Sequence, residues 1–471
     1  MGQGGNLALI NATPYEWKRV GQDKKNMDWD MPKSIPAGHR AAKYVEFYEP
    51  FFGTRNDHAT TTYEIQMEGK PTFTVNAGWN HFSNEMQPRQ IWIDLGDLIK
   101  NPGWITSPPL PKIQHIKWIH NTDGGTMTFT LAGPTNASAL TGSVLAEPFV
   151  RAEPRTLVQV KVDVEEAVRR SEEEAKDVGS EIRSPVEPLA ALSPMAKASP
   201  PGNAYWMQTS ASMIGKLSAN ELVLPGAHDA GTYKMVSPFA GPWASTQNLS
   251  IRGLLDAGVR CLDLRVASDN GNYILVHNTW RTKTSLEDAM AMIHDFLQEN
   301  TQEIVVLDFH RFPELDGNKV DADQVAAITR TKLGKELLLP VLEYGKPLSD
   351  VWQNQRGRAV ALMNDSGDTT YFGPKLARRW AGDDTKTKEA LEEFIKKNMG
   401  AGTPFWSIDA VLPAQWDTPV PHLRGQIDEW FQTGVTLMEH ASVVYCDFVE
   451  ETNLVNNCIG ENLLRAAQKS S

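Results

Sequence analysis

Over residues 204–471, short apolar runs alternate with amphipathic helical patterns. The runs are 222–224, 261–266, 273–276, 303–309, 359–363, 405–408 and 443–448. Between them, 286–299 and 387–398 carry the spacing of one-sided helices. Antiparallel strands need only tight turns, whereas a helix after a strand returns the chain to start a parallel neighbour. Alternation sustained over this length predicts a (β/α) TIM-type barrel.

The first 150 residues read as β. Apolar and polar residues alternate at 7–10, 44–47, 62–67, 72–75, 91–95, 113–119 and 126–131, and turn-forming residues such as Asp123-Gly124-Gly125 separate the runs. The expectation is an antiparallel β-sandwich over residues 1–165, closing with an alternating run of Val158, Val160, Val162 and Val164. Residues 166–203 pass from a charge-dense stretch to one rich in Pro, Ala and Ser, which is a linker composition. The chain therefore reads as multidomain: a sandwich, a linker, and a barrel over 204–471. At 471 residues with 41% hydrophobic and 22% charged, both parts can bury a core.

Charge and cysteine content exclude some functions. The formal net charge is −12; residues 1–150 hold 13 Lys and Arg against 14 Asp and Glu, so the acidity lies in the later part. Such a surface argues against nucleic acid as a partner and is repelled by anionic lipid, so a membrane contact has to rest on apolar groups or on the neutral first part. Three cysteines, Cys261, Cys446 and Cys458, form no close pair, which suggests neither a disulfide framework nor a thiolate metal site. No apolar leader opens the sequence and no apolar stretch is long enough to span a bilayer; a cytoplasmic or peripheral membrane location is expected. The glycine-rich start around Gly2 reads as a frayed terminus. The triplets Asn11-Ala12-Thr13 and Asn248-Leu249-Ser250 match the glycosylation pattern but, without a leader, carry little weight.

Polar residues collect where the later runs end. Pro225-Gly226 leads into Ala227-His228-Asp229, Asp263 and Arg265 alternate onto one face, Val276 is followed by His277, Leu307 by Asp308 and then His310, and Cys446 by Asp447. Barrel active sites lie at the carboxyl ends of the strands, so these residues are expected at one mouth. Two imidazoles titrating near neutrality can act as base and acid, and a guanidinium can stabilise a phosphoryl oxygen. That set suits in-line displacement at a phosphodiester without a metal. Arg358, Asp365 and Asp409 flank the fifth and sixth runs as further polar caps. His294 sits inside a helix, and Trp17, Trp29, Trp79, Trp92, Trp104 and Trp118 default to core.

Four of these segments carry a resemblance. Leu224-Pro225-Gly226-Ala227-His228-Asp229-Ala230-Gly231-Thr232, Ala257-Gly258-Val259-Arg260-Cys261-Leu262-Asp263-Leu264-Arg265, Leu275-Val276-His277-Asn278 and the run from Glu303 to Phe312 resemble, in order, the motifs of the phosphatidylinositol-specific phospholipase C X-domain family. The resemblance covers roughly 204–460 and leaves the first 150 residues outside it. It implies a phosphoric diester hydrolase or lyase acting on a phosphoinositide or related phospholipid. His228 would be the general base, His277 the general acid and Arg265 the phosphate contact. Asp447 would pair with His228, and Asp229 would support His277. Asp263, Asp308 and Asp409 would line the substrate pocket, with Asp263 also orienting Arg265. Arg265 stands where calcium-dependent relatives place a carboxylate, so the arrangement resembles the metal-independent, bacterial type. No cofactor is expected. The expected partners are a phospholipid head group and a transient membrane surface, with no obligate protein partner. The rival readings are a metal-dependent glycerophosphodiesterase-like enzyme and a catalytically weak lipid- or glycan-binding protein.

Overall fold

The computed structural model describes residues 3–133, save 48–56, 79–89, 97, 99–103, 108–112 and 118–125, and residues 203–469, save 238, 240, 316, 355–356, 401–404 and 415–418. The valine run at 158–164, the charge-dense stretch and the linker lie outside the described residues, as do Trp79 and Trp118.

The first part forms two sheets. One contains β1 (Gln3–Ala12), β3 (Met27–Asp28), β5 (His39–Phe47), β9 (Ile105–Ser107) and β11 (Thr126–Ala132) in the order β3-β5-β1-β11-β9. The other contains β2 (Trp17–Lys25), β4 (Ser34–Ile35), β6 (His58–Ile65), β7 (Thr72–Gly78), β8 (Gln90–Asp94) and β10 (Ile113–Lys117) in the order β10-β8-β7-β6-β2-β4. Alternation dictates this: along β6 every second residue is buried, and Tyr63, Phe73, Trp17 and Phe129 meet in one aromatic core fed by both sheets. Trp17 and Trp29 lie fully inside it, with their indole N–H groups bonded to Thr13 and Thr61. The expectation of a wholly antiparallel arrangement needs one correction. β1 pairs parallel with β11, because the first strand is inserted beside the last and no turn joins them.

The second part is one curled parallel sheet. β12 (Leu224–Ala227), β13 (Cys261–Asp269), β16 (Val305–Arg311), β17 (Ala359–Leu362), β18 (Phe372–Gly373), β19 (Ala377–Arg379), β20 (Trp406–Asp409) and β21 (Val443–Cys446) run in the order β18-β17-β16-β13-β12-β21-β20-β19, every neighbouring pair parallel. First and last strands of the segment, β12 and β21, lie side by side, as a barrel requires. Among the described residues no ladder joins β18 to β19, so the sheet stays open there.

One predicted strand has a different place. The run at 273–276 is not a parallel barrel strand. It is β14 (Asn272–His277), which pairs antiparallel with the far end of β13 and with β15 (Trp280–Ser285) as a raised hairpin. Asn270 and Gly271, with φ of 51° and 83°, make the tight reversal that lets β13 fold back on itself.

The two parts meet along the C-terminal helix Leu454–Lys469, whose buried face packs on β1, β9 and β11. Ala12, Ile105 and Ala132 from the first sheet join the barrel's apolar core. A tight contact lies at Gly460, where a Cβ would stand 2.6 Å from Thr433 Oγ1 of the same part and 2.7 Å from Thr130 Oγ1 of the first sheet. Helix propensity favours a larger residue there by about 1 kcal/mol, but overpacking costs roughly 1–3 kcal/mol, so the clash wins. Gly460→Val is therefore expected to lower the midpoint of a thermal scan by several degrees; an unchanged or raised midpoint would show that the seam yields easily.

Candidate active site

The turn after β12 places the first histidine. His228 N–H donates to Cys446 O, and its carbonyl accepts from Thr246 Oγ1 at 2.9 Å and Gln247 Nε2 at 3.0 Å. Asp229 follows in a left-handed conformation, φ 45°, with its N–H donating to Asp263 Oδ2. A Cβ on Gly231 would stand 2.4 Å from Leu275 Cδ1; only glycine leaves room for the hairpin that brings His277 to the mouth.

The resulting constellation is tight. His228 Nδ1 lies 2.6 Å from Asp447 Oδ1, and Arg265 Nη2 lies 2.8 Å from His228 Nε2. A guanidinium only donates, so Nε2 bears the lone pair and Nδ1 carries the proton toward Asp447. Burial, with Arg265 and Arg378 close by, holds His228 well below its ordinary value, in keeping with a neutral ring. His277 Nδ1 donates to Ala244 O at 2.8 Å, which turns its Nε2 inward. The Nε2 atoms of both histidines stand 3.6 Å from the same oxygen, Asp229 Oδ2, and Asp229 Oδ1 forms an ion pair with Arg265 Nε at 2.5 Å.

Beneath them runs a chain of alternating charge. Asp263 bridges Arg265 and Arg378, at 3.0 Å from each, and Arg378 Nε donates to Asp409 Oδ2 at 2.6 Å. Burial alone would raise the Asp263 carboxyl, but the two guanidiniums hold it well below the usual carboxylate range. Burial lifts Asp308 to about 7 and Asp409 to about 6, and it lowers His310 to about 3. Asp308 accepts from Tyr445 OH inside the barrel. Removing one member of a buried pair leaves an uncompensated charge, at a cost of roughly 3–5 kcal/mol. Asp263→Asn is accordingly expected to destabilise the fold far more than Asp308→Asn in a denaturant titration. Equal losses would show that Asp263 is not the shared counter-ion.

These groups face a cavity of about 470 Å³. Of the residues singled out in the sequence, His228, Arg265, His277, His310, Asp409 and Asp447 line it. Asp229, Asp263 and Asp308 lie behind that lining, fully buried. Arg358 donates to Leu297 O at the opposite end of β17, and neither Asp365 nor His294 reaches the cavity. Arg378 and the rim residues Trp243 and Trp380 escape sequence reasoning. β19 is only three residues long and lacks an apolar run, so nothing local marks Arg378 as a strand-end residue. Its one sequence signal is the Arg-Arg-Trp cluster at 378–380.

Residues 223–354 match the family model described as "Phosphatidylinositol-specific phospholipase C, X domain". Over this segment the chain is similar to the phosphatidylinositol-specific phospholipase C X-domain family. The match takes in β12, β13, the hairpin and β16, hence His228, Arg265 and His277; Arg378, Asp409 and Asp447 lie beyond it. Among curated relatives, mouse "PI-PLC X domain-containing protein 1" is 28% identical over 238 residues, 44% of this chain and 67% of the relative. Human "PI-PLC X domain-containing protein 2" is 30% identical over 140 residues, 24% of this chain and 45% of the relative. The "Variant-surface-glycoprotein phospholipase C" of Trypanosoma brucei brucei is 29% identical over 187 residues, 32% of this chain and 50% of the relative. The X domain and its surroundings thus span about half to two thirds of these proteins. Among solved structures, a mutant of the phosphatidylinositol-specific phospholipase C of Staphylococcus aureus gives a TM-score of 0.42 at 14% identity, covering 54% of this chain and 97% of the other. The Listeria monocytogenes enzyme gives 0.40 at 18% identity, covering 55% and 98%.

Proposed function

We propose that the X domain cleaves the phosphodiester of a phosphoinositide or related glycerophospholipid, in the manner of a phospholipase C and without a metal ion. The observation that carries this reading is the fixed tautomer of His228: Nδ1–H points at Asp447, and the Nε2 lone pair accepts from Arg265 Nη2, a donor that a substrate hydroxyl would replace. The base takes the proton of the head-group hydroxyl adjacent to the phosphate, and that oxygen attacks phosphorus. His277 returns a proton to the diacylglycerol oxygen as its bond to phosphorus breaks. The products are a cyclic phosphate and diacylglycerol. Arg265 shifts its donors to the phosphoryl oxygen as charge develops, a role that fixed donors fill well in a water-poor site. Asp229 supports His277, while Arg378 and Asp409 offer a donor and an acceptor to head-group hydroxyls.

Metal independence rests on occupancy of the charge site. His228, Asp229 and Asp263 offer ligand atoms within 4.8 Å of one another, a set able to hold a cation. The Arg265 guanidinium bonds to all three. A fixed organic cation thus stands where a divalent ion would otherwise neutralise the carboxylates.

The rim supports work at a lipid surface. Phe239, Trp243, Trp280 and Trp380 are exposed; Trp243 and Trp380 line the cavity, and Trp280 pairs with His277 across the hairpin. Aromatic side chains enter the interfacial region without needing an attractive protein charge. No described helix is long and apolar enough to cross a membrane. We also propose that 1–165 and 204–471 act as distinct modules, the first a β-sandwich that aids membrane or glycan targeting. The largely separate apolar cores favour the division. Product analysis on purified phospholipids, with and without chelator, tests the proposal: a water-soluble cyclic phosphate plus diacylglycerol is expected. A panel on which no head group is released would leave the lipid-binding reading in its place.

A further inference from the structure

A second cavity of about 550 Å³ lies where the first sheet meets the C-terminal helix. Arg40 of β5 reaches into it. One guanidinium nitrogen donates to Gln432 Oε1 at 2.6 Å, and its Nε is buried without a partner. Among the described residues no carboxylate forms an ion pair with Arg40. Glu439 lines the cleft but is solvent-exposed. Glu461, which borders the same loop, is engaged by Gly434 N–H and Arg465. Burial accordingly lowers the Arg40 pKa with no acid to offset it. His39 adds a second polar group: its Nδ1 donates to Ala37 O, which leaves Nε2 for a ligand. Pro14, Leu464 and Ala467 supply apolar wall. A half-buried cation without a counter-ion, in a cleft of ligand size, is a poor structural strut and a good anion contact.

We infer that this junction cleft binds a small organic oxyanion, a phosphomonoester or carboxylate with a short apolar body, through Arg40. The ligand spans both parts of the chain, so binding stabilises their packing. The site is remote from His228 and His277 in residue content, sharing no lining residue with the first cavity. Its oxyanion can arrive free or on a lipid head group.

The test is calorimetric titration and thermal scanning of the full chain with butyl phosphate and butyrate, with butanol as the uncharged control. Short-chain phosphatidic acid in monomeric form probes the lipid-borne source. Wild type and Arg40→Gln are compared, so any binding at the first cavity cancels. The expected result is one saturable site that Arg40→Gln weakens at least tenfold, a midpoint rise of a few degrees for wild type at saturating ligand that is absent in the variant, and no response to butanol. Tighter binding of the lipid assigns the oxyanion to a head group, and tighter binding of butyl phosphate assigns it to a free metabolite. Identical titrations for the two proteins would overturn the inference, as would equal binding of butanol. Arg40→Met guards against a purely structural role. Without ligand its midpoint should match or exceed that of wild type, and a clear ligand-independent fall makes Arg40 a strut and overturns the site.

Discussion

His228→Ala and His277→Ala are each expected to lower kcat by roughly 10²–10⁴-fold on a phosphoinositide substrate while leaving the fold intact, the usual contribution of a single acid or base. The two losses should not multiply in the double variant, because base and acid serve one displacement. Both side chains are mostly covered yet line the cavity, at 12% and 17% exposure, so truncation removes chemistry with little packing. The pH profile supplies an independent check. Activity needs a neutral His228, and burial with Arg265 lowers its pKa from 6.5, so protonation of the base sets in only below that value. The acidic limb of kcat/KM should therefore fall well under pH 6.5. Asp447→Asn removes the acceptor that fixes the tautomer and should cut kcat with little change in KM. Near-normal turnover by either alanine variant would sink the assignment.

Wild-type activity is expected to survive EDTA unchanged, and Arg265→Ala to lose roughly 10²–10³-fold or more in kcat, the scale set by removal of one preorganised donor. Arg265 makes three contacts at once, to Asp229, Asp263 and His228. Lysine carries a point charge on a flexible stem and cannot reproduce that planar fork, so Arg265→Lys should recover only a small part. Arg265→Asp adds a carboxylate to a triad that already has cation-ligand spacing, and calcium is expected to restore a fraction of its activity. Loss of wild-type activity in chelator, reversed by calcium, would instead place an ion among Asp229 and Asp263 and remove Arg265 as the cation that stabilises the phosphoryl charge.

Much of the site was legible because its residues sit beside strands with strong local signals. Val305 to Phe309 and Val443 to Cys446 are buried along their whole length, and such runs announce themselves by composition. Asp308 lies inside the first run and Asp447 directly follows the second. The parallel order was legible for the same reason. The hairpin was not: Tyr273 to Val276 has the apolar content of a barrel strand, and its antiparallel pairing depends on the turn at Asn270-Gly271 and on β13 running past the barrel rim.

The sequence by itself determined the alternation of strand and helix, the β character of the first part, and the identity of two histidines, an arginine and an aspartate that could meet at one mouth. These are local properties, carried by periodicity and by the few residues flanking each run. Beyond the pairings that the family resemblance implied, the tertiary structure decided which partners they take. Arg378 comes from a three-residue strand and shares Asp263 with Arg265 across 115 positions of chain. The His228–Asp447 pair, which the resemblance implied, likewise joins residues 219 positions apart. Parallel insertion of β1 beside β11 and the packing of the C-terminal helix on that sheet are likewise long-range. A charge finds its counter-charge by spatial proximity, and burial then fixes its protonation. Neither is written in the neighbourhood of any one residue, so the electrostatic character of the site emerges only once the barrel has closed those distances.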